Sequence, residues 1–183
     1  MLFKYADAAN SGTLATREFY KTSDDFYFGN DDADDLFATI KRIAKQQPGI
    51  KIRLIGHSLG GWCAAKLSKR LHQAGIGTSL LITIDPVGVA YFMRIADSES
   101  EPPRPVADVW VNIVAEHAKK YGVDDIIADA GTRWRPSRDW GLKIKPTFDY
   151  NTPFSHADVW KMMVFQGAKG KSAWEILITP PAK

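Results

Sequence analysis

The chain has 183 residues, 45% of them apolar and 25% charged, the balance of one globular domain rather than of a disordered, collagen-like or disulfide-stapled chain. Its 24 basic and 21 acidic residues leave a net charge of +3, too small an excess to announce a nucleic-acid surface. The single cysteine, Cys63, cannot close an internal disulfide, which suits a reducing compartment.

No apolar run approaches the roughly 18 residues needed to cross a bilayer. The N-terminal Met1-Leu2-Phe3-Lys4-Tyr5-Ala6-Asp7 lacks the basic-then-apolar order of a cleaved signal. The expectation is a cytoplasmic protein, or one exported without a cleaved signal peptide. Neither a repeat nor a low-complexity tract divides residues 1–183, so a single domain is expected.

The first clear element is a helix from about Asp31 to Gln47. Leu36, Phe37, Ile40, Ile43 and Ala44 share one face at helical spacing. Asn30 or Asp31 caps it, Asp32, Asp34 and Asp35 suit its positive end, and Pro48-Gly49 stops it. Ile50 to Ile55 reads as a strand, Leu59 to Gln73 as a helix and Ser79 to Ile84 as a strand covered on both faces. Ala96 to Pro105, with three prolines and no large apolar side chain, reads as a surface loop. Asp108 to Val114 is a third strand, and a helix follows His156 through Trp160 to Phe165. Strands alternating with helices predict an α/β chain: a mostly parallel sheet in a three-layer sandwich.

The chemistry concentrates at Gly56-His57-Ser58-Leu59-Gly60-Gly61. It contains G-x-S-x-G between a strand and a helix, the context of a nucleophile elbow. The turn is sharp, so Gly56 and Gly60 are expected to remove side chains that would meet neighbouring backbone. Ser58 then stands at the tip, beside the N–H groups and positive dipole end of the helix it precedes. The N–H of Leu59 is placed to donate to an oxyanion. Cys63 is expected inside, as a small core residue.

With those elements in place, Ile52 to Leu67, IRLIGHSLGGWCAAKL, closely resembles the elbow of lipases and esterases of the α/β-hydrolase family. The resemblance is specific over about residues 33–88. It implies hydrolysis of carboxylic esters, thioesters or amides through an acyl-enzyme, using serine, acid and histidine in that chain order. It implies neither cofactor nor metal, and the residues offer no metal-ligand cluster. Only about 50 residues precede the elbow strand, and the family's usual upstream His-Gly is absent, so a reduced α/β-hydrolase fold is expected. Leu2 to Tyr5 is a candidate strand, and Ala6 to Ser11 or Thr22 to Gly29 could supply a second oxyanion donor.

Of four histidines, His156 follows a loop and opens a helix near the C-terminus, where the family keeps its base. His117 is the rival; His57 is expected to point away from the hydroxyl, and His72 to lie on the surface. Asp85 ends an apolar strand and precedes Pro86, as the acid does in lipases of the pancreatic type. Proline should hold Asp85 extended. Glu116, or Asp124 and Asp125, could serve as the acid one strand later. The expected partner is a small-molecule or lipid acyl ester, not a nucleic acid, although Trp134 and Trp140 flank Arg135 and Arg138. The apolar Val87 to Met93 could line an acyl pocket, act as a lid or pack in the core, and leaves room for transient contact with a membrane surface. A hydrolase-like interaction module without catalysis is the alternative, and the sequence does not specify an oligomeric state.

Overall fold

A computed structural model describes residues 30–88, 102–116, 122–131, 133–136, 145–167 and 170–179. The candidate strand Leu2 to Tyr5, both upstream donor segments, His117, Arg138 and Trp140 lie outside the described residues, as does most of the apolar stretch after Gly88. The described elements are α1 (Asn30–Gln46), β1 (Ile52–His57), α2 (Leu59–Gln73), β2 (Thr78–Ile84), β3 (Val109–Ala115), α3 (Val123–Ala130), β4 (Phe148–Thr152), α4 (Val159–Val164) and α5 (Ala173–Ile178).

The four strands form one sheet in the order β1-β2-β3-β4, with every neighbouring pair parallel. The expected α/β architecture is therefore present. Successive residues of β2 explain the layers, because side chains alternate across a strand. Leu80, Ile82 and Ile84 enter one face with Val111, Ile113 and Tyr150, beneath Met162 and Met163 of α4 and Leu177 of α5. Leu81 enters the other face with Leu54 and Trp110, beneath Trp62, Ala65 and Leu71 of α2 and Ile40 of α1. Each fully buried Leu or Ile contributes roughly 1.5–3 kcal/mol. At the far end of α5, the Arg53 guanidinium reaches from β1 to the carbonyls of Leu177 and Thr179.

A polar row fixes the register. Thr83, Asn112 and Asp149 are ladder partners across β2, β3 and β4. Thr83 Oγ1 donates to Asn112 Oδ1 at 2.8 Å, and Asn112 Nδ2 donates to Asp149 Oδ1 at 2.8 Å. Trp110 Nε1 donates to Thr83 Oγ1 at 3.1 Å. A one-residue slip would send this row to the opposite face and leave its buried members unpaired.

Two expectations about packing need correction. Cys63 is exposed; the buried residues of α2 are Gly61, Trp62, Ala64, Ala65, Leu67, Ser68 and Leu71, and Cys63 is not among them. The proline-rich segment is not wholly superficial, since Pro103 and Pro105 are buried. It leads to Val106, whose N–H reaches Ser68 Oγ of α2 at 3.2 Å.

All four strands run the same way, so their C-terminal ends meet on one edge. Ser58 follows β1, Asp85 follows β2, Glu116 follows β3, and His156 stands in the loop after β4.

Candidate active site on the C-terminal edge of the sheet

Ser58 occupies a backbone conformation that side chains rarely adopt, with φ 57° and ψ −131°. Main-chain bonds hold it there. Its N–H donates to the Ile84 carbonyl at 3.0 Å, and its carbonyl accepts from Gly61 at 2.9 Å and from Val87 at 3.1 Å. The elbow is therefore tied both to its own helix and to the loop after β2. Leu59 opens α2, so its N–H is among the first four that no helical carbonyl can satisfy.

The glycines act differently from expectation. A Cβ on Gly56 would overlap the Gly60 carbonyl, but one on Gly60 meets nothing among the described residues. Gly61 is the second tight position: a Cβ there would lie 3.0 Å from Pro86 Cβ and 3.1 Å from the Gly56 carbonyl. The sharp turn brings the backbone of Gly60 and Gly61 over Gly56, so space is short beneath the helix start and open outside it.

Asp85 is fully buried, and its carboxylate is held at both oxygens. Its main-chain N–H donates to the Ile113 carbonyl at 2.6 Å, and its Oδ1 accepts from the Ala115 N–H at 3.0 Å. The side-chain oxygen thus occupies the place of a further ladder carbonyl beside β3. The backbone is not extended as Pro86 would favour; φ is 37°. The two bonds to β3 bend the chain against that local preference.

His156 is buried in a tight turn. Asp158 closes the turn: its N–H donates to the Ser155 carbonyl at 3.0 Å, and its Oδ2 accepts from Ser155 Oγ at 3.0 Å. The Lys161 ammonium holds the Asp158 carboxyl below the usual carboxylate range. His156 Nδ1 lies 2.7 Å from Asp85 Oδ2. A carboxylate accepts, so Nδ1 carries the proton and a neutral ring leaves Nε2 as a lone-pair base. The structure brings Asp85 and His156 into direct contact. The elbow adjoins them, because the rings of His57 and His156 have centroids 4.4 Å apart.

His57 packs against the ring of His156. Its Nε2 lies 2.9 Å from the His156 carbonyl, which can only accept, so Nε2 carries the proton. Burial, and then the His156 ring, lower the His57 imidazole to about 4, against opposing contributions from that hydrogen bond, Asp85 and Asp124. His72 is exposed. Glu116 and Asp124 are exposed too, whereas Nδ1 of His156 is engaged by Asp85.

Asp125 has a different place from the one considered for it. Its Oδ1 accepts from the His156 main-chain N–H at 2.9 Å. It also takes Arg133, a residue that sequence reasoning passed over. Arg133 Nε lies 3.0 Å from Asp85 Oδ2, Nη2 lies 2.9 Å from Asp125 Oδ1, and Nη1 lies 2.6 Å from Asp129 Oδ1. The spacing of Asp125, Asp129 and Arg133 at four-residue steps was the signal available. Val87 pairs with Arg133, and the Trp134 N–H donates to the Pro86 carbonyl at 2.7 Å, which fixes this segment against the loop that follows Asp85. Trp134 is buried, stacked on Trp110 and edge-on to Trp62, so its place is in the core.

A buried carboxylate orients an imidazole through Nδ1 and leaves Nε2 for proton transfer, and the residue before the strained Ser58, His57, packs against that imidazole. Among the described residues, no group of three or more His, Cys, Asp or Glu side chains is arranged to hold a metal ion. None of the described helices is long and apolar enough to cross a membrane. No family model matches the sequence, and no curated protein matches it.

Proposed function

We propose that this chain is a serine hydrolase with a reduced α/β-hydrolase fold, cleaving a carboxylic ester through an acyl-enzyme on Ser58. The observation that carries this reading is the 2.7 Å contact between Asp85 and His156 beside the elbow of Ser58. The support lies in the convergence of three distant segments on one sheet edge, in the chain order serine, acid, histidine.

In this reading Ser58 Oγ attacks the carbonyl carbon, and Nε2 of His156 takes its proton. Asp85 holds the ring tautomer and stabilises the imidazolium. The Leu59 N–H receives the oxyanion, with the dipole of α2 behind it. His156 then returns the proton to the leaving group and activates the water that clears the acyl chain. A lipid or acyl ester is the proposed substrate class, on the strength of the lipase-like Gly-His-Ser-Leu-Gly-Gly. A thioester would be cleaved by the same groups.

Labelling with a fluorophosphonate probe tests the reading, since only an activated serine reacts quickly. Rapid labelling at Ser58, lost in Ser58→Ala, is the expected result. A panel of acyl esters and thioesters of increasing chain length then assigns the substrate. A folded protein that never labels would instead be an interaction module built on the same frame.

A further inference from the structure

The Asp85–His156 pair does not stand alone: one guanidinium grips both carboxylates that hold the histidine. Asp85 anchors the His156 ring and Asp125 anchors its main chain. In each case the oxygen that holds His156 also accepts from Arg133. Asp85 and Asp125 have side chains with no exposure, and that of Arg133 is 4% exposed. Asp129, on the third nitrogen, is 40% exposed and lies at the rim.

We propose that Arg133 is a positioning residue that locks His156 through Asp85 and Asp125 and sets the pH range over which the histidine can act as a base. The inference rests on the serine-hydrolase reading for its catalytic consequence only.

The charge count explains why a cation is needed here. Two buried carboxylates with nothing opposite them would be strongly disfavoured. The positive charge nearest to them would then be His156 itself, and they would hold it as imidazolium to higher pH. A charged ring cannot accept the serine proton. With Arg133 present, the buried trio carries one net negative charge. Protonation of His156 during turnover neutralises it. Among the described residues, His57, whose imidazole is held neutral, packs on the ring and interacts with Asp124; Asp129 pairs with Arg133, and Asp158 and Lys161 pair with each other on the turn and helix that carry His156.

Geometry explains why the cation is arginine. Nε, Nη1 and Nη2 each address a different carboxylate, a division that a planar fork allows and an ammonium on a flexible stem does not fix. Main-chain bonding of Arg133 and Trp134 to Pro86 and Val87 places the fork before any substrate arrives.

The experiment compares Arg133→Gln and Arg133→Lys with wild type, using two readouts. One is the pH midpoint of the His156 ring signals by NMR, which needs no turnover. The other is the rate of fluorophosphonate labelling against pH. In Arg133→Gln the midpoint should rise by about one pH unit, the scale for removing a charge this close. Labelling near pH 7 should slow by roughly 10–100-fold, the cost of a misplaced catalytic group. Arg133→Lys should keep the midpoint within about 0.3 unit of wild type while labelling stays slow, because charge is restored and the fork is not.

A folded Arg133→Gln with an unmoved or lowered midpoint overturns the proposal. Should that variant fail to fold, Arg133→Lys decides: slow labelling at an unmoved midpoint supports the lock, and labelling at the wild-type rate or a raised midpoint rejects it. A wild-type protein that does not label sinks the hydrolase reading instead. The NMR midpoints then still report whether Arg133 governs His156.

Discussion

Nδ1 of His156 lies 2.7 Å from Oδ2 of Asp85, across 71 residues of chain. Glu116, which emerges after the neighbouring strand β3, is exposed, and its main-chain N–H donates to the Thr152 carbonyl at 2.7 Å. Under the proposed mechanism this contact favours Asp85 over Glu116 as the acid. Asp85→Asn should lower kcat by roughly 10²–10⁴-fold, because an amide can trap the wrong imidazole tautomer. Glu116→Gln should stay within about tenfold of wild type, a change of about 1.4 kcal/mol in the barrier. Steady-state kinetics on a labelling-competent ester check this, and the reverse ranking would transfer the role to Glu116.

Ser58 sits at φ 57° and ψ −131°, a region where glycine is at ease and a Cβ is not. Such strain costs of order 1–3 kcal/mol. Ser58→Gly should therefore raise the melting temperature by a few degrees, since about 1 kcal/mol corresponds to roughly 2–4 °C at this chain length. Ser58→Ala should leave it close to wild type. Both should lose activity by roughly 10³–10⁶-fold. Calorimetry on the three proteins separates strain from chemistry: a Ser58→Gly protein no more stable than Ser58→Ala would mean that the elbow stores no strain.

The two glycines of G-x-S-x-G should respond in opposite ways. Gly56→Ala drives a Cβ into the Gly60 carbonyl, a backbone atom that cannot step aside, and should cost several kcal/mol, as overpacked or strained sites do. Gly60→Ala meets open space among the described residues and lies in the first turn of α2. It should be neutral or stabilising by about 0.5–1 kcal/mol. Urea unfolding of both variants is the measurement. Equal destabilisation would show that the elbow is tight on both sides.

Burial lowers the His57 imidazole to about 4, and this makes stability pH-dependent in a defined sense. Unfolded, His57 takes up a proton below about 6.5. Folded, it resists until about 4, so the unfolded state binds more protons in between. Stability from this residue is therefore complete above about pH 6.5 and is lost as pH falls toward 4, by roughly 2–4 kcal/mol. His57→Gln keeps a donor for the His156 carbonyl and cannot titrate. Its unfolding free energy, followed by urea titration from pH 7 to 4, should fall less steeply than that of wild type. An identical slope would remove His57 as the cause.

Much of the frame was legible along the chain because it depends on neighbours in sequence. Apolar spacing located α1, and the run of branched residues located β2. The run of small and apolar residues after Ser58 predicts a helix from Leu59 to Gln73, and α2 has those bounds. Ser58 could be singled out because glycine, strand and helix lie within a few residues of it. Other elements were obscured locally. β4, Phe148-Asp149-Tyr150-Asn151-Thr152, is only five residues long, too short for its alternation to stand out, and it is fixed as a strand by pairing with β3. The capping pair Ser172 and Glu175 announced α5 to a reader who looked for it.

The site itself required the tertiary structure. Chain order allowed Asp85, Glu116, Asp124 and Asp125 as acids, and locally only the strand end and the following Pro86 favoured Asp85. The parallel sheet brings Asp85 to His156, because it lays the ends of β2 and β4 on one edge and bends Asp85 onto β3. Arg133 left no trace as a partner of Asp85 or His156, since a guanidinium 48 residues from one carboxylate looks like any surface charge until both are buried together. Hydrophobic periodicity is a property of adjacent turns and pleats. The pairing of buried charges is a property of distance in space, and only the folded chain fixes that.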